Sequence, residues 1–274
     1  MGDRVVKLED NHPARTFSAL FADFCGSSAE RAAWQQPAAL LFWTAFPPVL
    51  TLDAFMVRSI QKSRNCYLHA PVMLQHMLVV KHTGSANHTK IDISMYVRER
   101  LHEDALKEYL QARGGSSIDV LATIADLDEV DMDIVRVSPR PTQLLLDATR
   151  IENGLREYGP ALIAMFPVDA RFRSGATTFR RGDYDKKTKS GRHAMVLLGI
   201  RPDAQDGHMC LVQNWHARAE LLEISLPYLA TTGCQIVFVL KPLTAISADL
   251  PTISAAFTDA SSDAVGEAER REDA

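Results

Sequence analysis

The sequence predicts an α+β protein of two lobes, a helical N-terminal part and a C-terminal part built on an antiparallel sheet. Three observations carry this. Up to Tyr158 the apolar residues recur mainly at helical spacing, after Gly159-Pro160 they gather into short runs of strand length, and polar turns separate those runs. At 274 residues the chain can bury a sizeable core, and 46% hydrophobic with 23% charged residues is the composition of a soluble globular protein. Against 34 Asp and Glu stand 30 Lys and Arg, a net charge of −4. That is the wrong balance for a surface that neutralises phosphate backbones, so nucleic acid is not an expected partner.

Taken in order, residues 1–16 are a polar arm. Phe17–Phe24 has helical spacing, and Ala29–Trp43 continues it with an interruption at Pro37. Pro47-Pro48 ends this region, because a proline disfavours helix in the residue before it. Cys66–Val80 reads as a strong helix, with Ser63-Arg64-Asn65 supplying N-cap chemistry and Pro71 tolerable only near a helix start or at a kink. Further helices are expected over Tyr96–Gln111, stopping at Gly114-Gly115, from Ser116 through Ile124, and over Gln143–Tyr158. Ser138–Pro141 is a loop. Strands are expected at Ala161–Phe166, Ala194–Ile200, Met209–Asn214 and Gln235–Leu240. The acidic run from Asp126 to Asp133 reads as a solvated surface, and the stretch from Ala248 as a disordered acidic tail. The domains expected are an extension over 1–45, partly helical, a main domain over 46–247, and the tail over 248–274.

Four cysteines, Cys25, Cys66, Cys210 and Cys234, are too sparse for a disulfide scaffold and form no short metal-ligand pair. The N-terminus lacks the apolar segment of a secretory signal, and no apolar run approaches the length of a membrane span. The expectation is a cytoplasmic or otherwise intracellular protein with reduced thiols and no membrane partner. His69, His76, His82 and His88 are spaced by seven, six and six, which does not stack them at i, i+4, so no metal site is expected.

One constellation carries chemistry. A thiol becomes a good nucleophile where a helix N-terminus and an imidazole lower its pKa, and Cys66 stands where a helix begins. His193 opens the apolar strand His193-Ala194-Met195-Val196-Leu197-Leu198-Gly199, the position of a general base. Asn214 closes the next strand, Cys210-Leu211-Val212-Gln213-Asn214-Trp215, where its carbonyl can hold the imidazole N–H. If the turn around Asp203–Gly207 joins the two as antiparallel neighbours, His193 and Asn214 come side by side.

On these residues the sequence resembles the papain-like cysteine peptidases. His193 and Asn214 follow Cys66 at separations of 127 and 148 residues by their numbering, near the about 130–150 of papain-type enzymes, and in the family's order. Pro47–Asp53 resembles the start of a mature papain-like domain, and Gly159–Ala164 the strand that opens its second lobe. The resemblance spans about residues 46–240. It implies a papain-like fold with the active site in a cleft between the lobes, and hydrolysis of peptide bonds through a thioester acyl-enzyme. Cys66 is then the nucleophile, His193 the base and Asn214 its orienting partner, while Gln61, five residues before Cys66, stands nearest the family's oxyanion-hole glutamine. Gly114, Gly115 and Trp215 take substrate-binding places. No cofactor and no metal are implied. The partners implied are a peptide or protein substrate and a protein inhibitor.

Other readings stay open at this level. A papain-like chain that has lost catalysis and serves as a binding protein is one, and a thiol acyltransferase with the same triad is another. Gly114-Gly115 equally marks a helix C-terminus. The basic stretch Arg171–Arg192 is either a mobile solvated loop or a means of steering an acidic substrate toward His193.

Overall fold

The computed structural model describes residues 16–45, 66–83, 115–125, 131–216 and 219–240. The chain divides into two units, Met1–Leu243 and Thr244–Ala274, and every described residue belongs to the first. The segment Pro47–Asp53, the helix expected over Tyr96–Gln111 and the acidic tail lie outside the described residues, as do Gln61 and Gly114.

The architecture is α+β with a predominantly antiparallel sheet. Among the described residues its strands are β1 (Leu40–Leu41), β2 (Met132–Arg136), β3 (Ala161–Val168), β4 (Thr178–Phe179), β5 (Gly191–Asp203), β6 (Gly207–His216), β7 (Ala219–Ser225) and β8 (Gln235–Val239). They run in the order β2-β8-β3-β5-β6-β7-β4, antiparallel except for β4 beside β7. The helices are α1 (Phe17–Gly26), α2 (Ala29–Ala32), α3 (Cys66–Thr83), α4 (Ser117–Ala125), α5 (Pro141–Glu157), α6 (Ala170–Arg173) and α7 (Leu226–Thr232).

β5 is the organising strand. Thirteen residues long, it pairs with β6 along one edge. Its other edge is shared, β3 taking Gly191–Leu197 and β1 taking Gly199 and Ile200. From Ala194 through Arg201 every residue is buried, as an unbroken apolar run of this length requires. Gly199 permits the handover between β3 and β1, because a Cβ there would lie 2.6 Å from the Leu40 carbonyl oxygen. Tyr67–Leu78 of α3 is buried on all sides, so its sequence shows almost no amphipathic stripe, and it packs on β5, β3 and α4. Helix α5 is amphipathic and lays Ala148, Ile151 and Leu155 inward. Gly154 lets it approach the sheet, where a Cβ would meet the Phe238 ring at 2.6 Å.

Several elements differ from expectation. Asp131–Asp133 is not a solvated surface. β2 pairs with β8 in register Met132↔Val239 to Arg136↔Gln235, Asp131 is buried, and Asp133 is held by Arg150. Charges hid a strand whose apolar residues are too few to alternate visibly. The stretch Arg171–Arg192 is structured rather than a plain loop. Asp169 and Asp185 cap its short helical turns, and Arg171 and Arg173 donate to the backbone carbonyls of Thr178 and Thr188. Strand β7 and helix α7 carry no strong sequence signal, since β7 has the charged Glu220 and Glu223 inside it.

Residues 16–45 are part of the same body. Glu223, 1% exposed, receives Trp34 Nε1 at 2.7 Å and Arg201 Nη2 at 2.9 Å on Oε1, and Arg31 Nε at 3.2 Å on Oε2. The Arg201 guanidinium lies over the Trp34 ring at 5.1 Å. Arg180 joins Asp203 and Asp206, both at 3.0 Å, and also pairs with Glu30. A buried carboxylate with donors on both oxygens is satisfied, and removing it takes a partner from two cations and leaves a buried indole N–H unpaired. We expect Glu223→Ala to destabilise the chain by about 3–5 kcal/mol, read as a lowered urea midpoint, whereas Leu145→Ala on the exposed face of α5 changes it little.

Candidate active site

The site is assembled at one end of β5. His193 is the third residue of that strand, buried, at the mouth of the apolar run. β6 returns antiparallel from the turn at Asp203–Gly207, and with Val196 opposite Gln213 the side chain of Asn214 lies diagonally across from His193. His193 Nε2 and Asn214 Oδ1 are 2.8 Å apart. The far end of the amide determines the sense of this bond. Asn214 Nδ2 donates to the Ala219 carbonyl at 2.9 Å, which only an N–H group can do. Oδ1 therefore faces the imidazole, a carbonyl oxygen only accepts, and Nε2 must carry the ring proton. In the neutral ring Nδ1 is then the basic nitrogen.

Phe172 lies against His193 with ring centroids 5.1 Å apart. It is carried by the single turn α6, whose cap Asp169 accepts the Phe172 N–H at 2.8 Å. Behind it Phe166, Phe179 and Tyr228 pack at 5.3–5.7 Å from Phe166 or from one another. The imidazole thus has a rigid apolar wall beside it and a fixed hydrogen bond at its end.

Cys66 is the first residue of α3 and meets β5 one residue past His193. The backbone N–H groups of Ala194, Tyr67 and Cys66 itself lie near its thiol. Burial pushes the Cys66 thiol above its ordinary value, and these three groups pull it back in part. Cys66 is nevertheless half-buried, while Cys25, Cys210 and Cys234 are buried, unbridged and pushed by burial to about 11, about 12 and about 11. Of the four thiols it is the accessible one.

The structure therefore brings Cys66, His193 and Asn214 to one place. Trp215, 4% exposed, follows Asn214 on β6, and its ring is 5.0 Å from that of His69. Gly115 is exposed just ahead of α4, next to Ser116, whose hydroxyl accepts the Asp119 N–H at 3.3 Å as the helix begins. His69 is a site residue that sequence reasoning weighed only as a metal ligand. It sits one helical turn after Cys66, and i, i+3 spacing from the nucleophile candidate was the signal available. Burial, and then the neighbouring His193, lower His69 to about 4. Among the described residues no group of three or more His, Cys, Asp or Glu side chains is placed to hold a metal ion, and no helix is long and apolar enough to cross a membrane.

No family model matches the sequence, and no curated protein matches it. Solved structures do align with the fold. The digestive procathepsin L2 proteinase from Tenebrio molitor larval midgut does so at TM-score 0.41 and 14% identity, over 83% of this chain and 73% of that one. The bromelain protease from Ananas comosus in complex with the E64 inhibitor aligns at 0.39 and 12%, over 74% and 98%. The cysteine protease and lectin-like domains of Cwp84, a surface layer associated protein of Clostridium difficile, align at 0.38 and 12%, over 68% and 49%. At such scores the chemistry has to be read from the site's own geometry.

The burial of His69 has a consequence for stability. The folded chain holds this ring neutral down to about 4, whereas an exposed histidine takes its proton near 6.5. The unfolded chain therefore binds the extra proton throughout that window, and folding weakens as pH falls from 6.5 to about 4, by up to about 3 kcal/mol. Replacing His69 by Phe keeps a ring against Trp215 and removes the titration. Urea midpoints at pH 7.5 and pH 5 are expected to diverge less in His69→Phe than in the unaltered chain.

Proposed function

We propose that this protein is a papain-like cysteine peptidase that hydrolyses peptide bonds. The observation that carries the reading is the convergence at one end of β5: the His193–Asn214 bond of 2.8 Å with the Cys66 thiol on the next amide of the same strand. Three residues far apart in sequence meet there in an arrangement that suits nucleophilic acyl transfer.

The chemistry follows from the protonation states. Asn214 keeps the proton on Nε2, so Nδ1 of His193 accepts the Cys66 proton as the sulfur attacks the substrate carbonyl carbon. The tetrahedral intermediate collapses to a thioester as the amine leaves with the proton from Nδ1. A water molecule then gives a proton to Nδ1 and attacks the thioester carbon; the C–S bond breaks to release the acid, and the departing sulfur takes the proton back from Nδ1, restoring the thiol. The raised pKa of Cys66 matters here. With the thiol neutral at rest, the nucleophile is generated when the proton moves to His193. The N–H groups of Cys66 and Tyr67, at the end of α3 where partial positive charge collects, lie beside the forming oxyanion. Gln61 is proposed as the side-chain donor to the same oxygen, and Gly114, Gly115 and Trp215 as substrate contacts.

A second reading is favoured by one observation. Burial raises the Cys66 thiol and nothing beside it overcomes that shift; a chain that had retired from catalysis and kept the fold for binding would have the same feature.

Alkylation with a neutral thiol reagent at pH 7.5, mapped by mass spectrometry, is expected to modify Cys66 first and to slow by more than tenfold in His193→Ala. Peptide hydrolysis is expected to fall by about 10²–10⁴ in His193→Ala and to vanish in Cys66→Ala. Asn214→Ala, which frees the imidazole tautomer, should lower kcat with little change in KM. Equal labelling of Cys66 with and without His193, together with no turnover of a peptide library, would sink the peptidase reading and leave the binding protein.

A further inference from the structure

Arg192 immediately precedes His193, and its surroundings are unusual for an exposed arginine. Nη1 donates to two backbone carbonyls, that of Met165 on β3 at 2.6 Å and that of Thr232 at the end of α7 at 3.3 Å. A guanidinium carries five N–H donors in a planar fork. With Nη1 fixed from two sides, the plane of the fork is set. Among the described residues its Nε–Nη2 edge has no partner and no carboxylate lies within ion-pair distance. That edge is the one that grips a carboxylate with two parallel hydrogen bonds.

The backbone that anchors Arg192 is itself distorted. Met165 has φ +69, the left-handed region, and is not glycine. It lies in the bulge where the β3–β5 register shifts between Ile163 and Phe166, and Phe166 is the register partner of His193. The thioether is 43% exposed. Strained backbone of this kind persists where its surroundings over-determine it and tends to gather at functional sites. Here it presents a carbonyl to Arg192 and an apolar side chain to solvent, one residue from the partner of His193.

The stretch Arg171–Arg192 carries a net positive charge. Of the cations in Arg171–Arg192, Arg180 is consumed by Asp203 and Asp206, and Arg171 by Asp183. Asp183 also accepts the Arg180 backbone N–H, and Asp185 caps Lys187. Arg181, Lys186, Lys187 and Lys189 are exposed and outside any ion pair among the described residues. They leave the stretch that leads into β5 net positive without a defined binding geometry of their own.

We infer that Arg192, anchored by Met165 and Thr232, is the carboxylate-reading residue of this site. The substrate sets a carboxylate on the Nε–Nη2 edge while its reacting carbonyl lies at Cys66, and Met165 covers the apolar stem that leads to it. The link is the β3–β5 bulge rather than adjacency along β5, where neighbouring side chains alternate in face. Cys66 lies at the Ala194 amide and Arg192 is held on the Met165 carbonyl of the paired strand, which sets the carboxylate within a few residues of the reacting bond. The inference rests on the peptidase reading for the reacting bond, but the carboxylate recognition is testable without turnover.

The test uses full-length protein carrying Cys66→Ala and three fluorescent hexapeptide pools: one blocked at both ends with a fixed Glu, one blocked with Gln in its place, and the Gln pool with a free C-terminal carboxylate. Fluorescence anisotropy at 50 mM salt should show one of the two carboxylate pools binding about tenfold tighter than the blocked Gln pool. The Glu pool identifies an acidic side chain as the source, and the free-acid pool identifies a chain terminus. Adding Arg192→Gln, which can still donate to the Met165 carbonyl but carries no charge, should remove the preference. Arg192→Lys keeps the charge without the fork and should retain only a small part of it. Thermal midpoints within a few degrees of the parent show that each variant folds. Equal binding of all three pools, or a preference that survives Arg192→Gln, overturns the inference. Turnover by the unsubstituted enzyme is read separately: hydrolysis without a carboxylate preference counts against Arg192 alone, and a carboxylate preference without hydrolysis counts against the peptidase reading alone.

Discussion

The ladder between β5 and β6 is the constraint on which the rest depends. It is a simple hairpin, turned at Asp203–Gly207, and its two ends do different work. At the open end it sets His193 beside Asn214. At the turn it gathers Arg201, Asp203 and Asp206 with Arg180. A slip of one residue in its register would send His193 and Asn214 to opposite faces, because strand side chains alternate. The register is held by burial. From Ala194 to Arg201 and from Met209 to Trp215 every described side chain is removed from water, and no shifted pairing preserves that.

The two edges of β5 explain why the chain needs its N-terminal segment. β3 leaves Gly199 and Ile200 unpaired, and β1 fills that gap. β1 alone is two residues long and would contribute little. What holds it is the cluster beneath, in which Trp34, Arg31 and Arg201 share the Glu223 carboxylate. A carboxylate this deeply buried is tolerable only with such a full set of donors. The same group therefore specifies where residues 16–45 dock, and it does so at the end of the sheet remote from His193.

Much of the strand-rich part was legible in the sequence. Apolar runs beginning at Ala161, Ala194, Met209 and Gln235 each became a strand, lengthened at their ends by a few polar residues that pair through their backbones. The hairpin from His193 to Asn214 followed from the turn chemistry between two such runs. β2, β7 and the ordered stretch after Asp169 were not legible, for one shared reason: charged residues occupy them. Asp133 is paired with Arg150, Glu223 with Arg201 and Arg31, and Asp169 accepts the Phe172 N–H at the start of α6. A pattern of hydrophobicity cannot foresee which charges will find partners, since the partners lie far away in sequence.

By itself the sequence determined that this is an α+β protein, that its second part is an antiparallel sheet, and that one cysteine, one histidine and one asparagine fall in an order suited to acyl transfer. Those properties are local or depend on the order of segments. Only the tertiary structure decided that His69 is a buried neutral imidazole near His193, that the amide of Asn214 faces Nε2 and not Nδ1, that burial raises the Cys66 thiol, and that Arg192 is pinned by two carbonyls with one edge open. Each depends on desolvation or on a hydrogen-bond partner supplied by another element. Those quantities do not exist until the chain has closed around them.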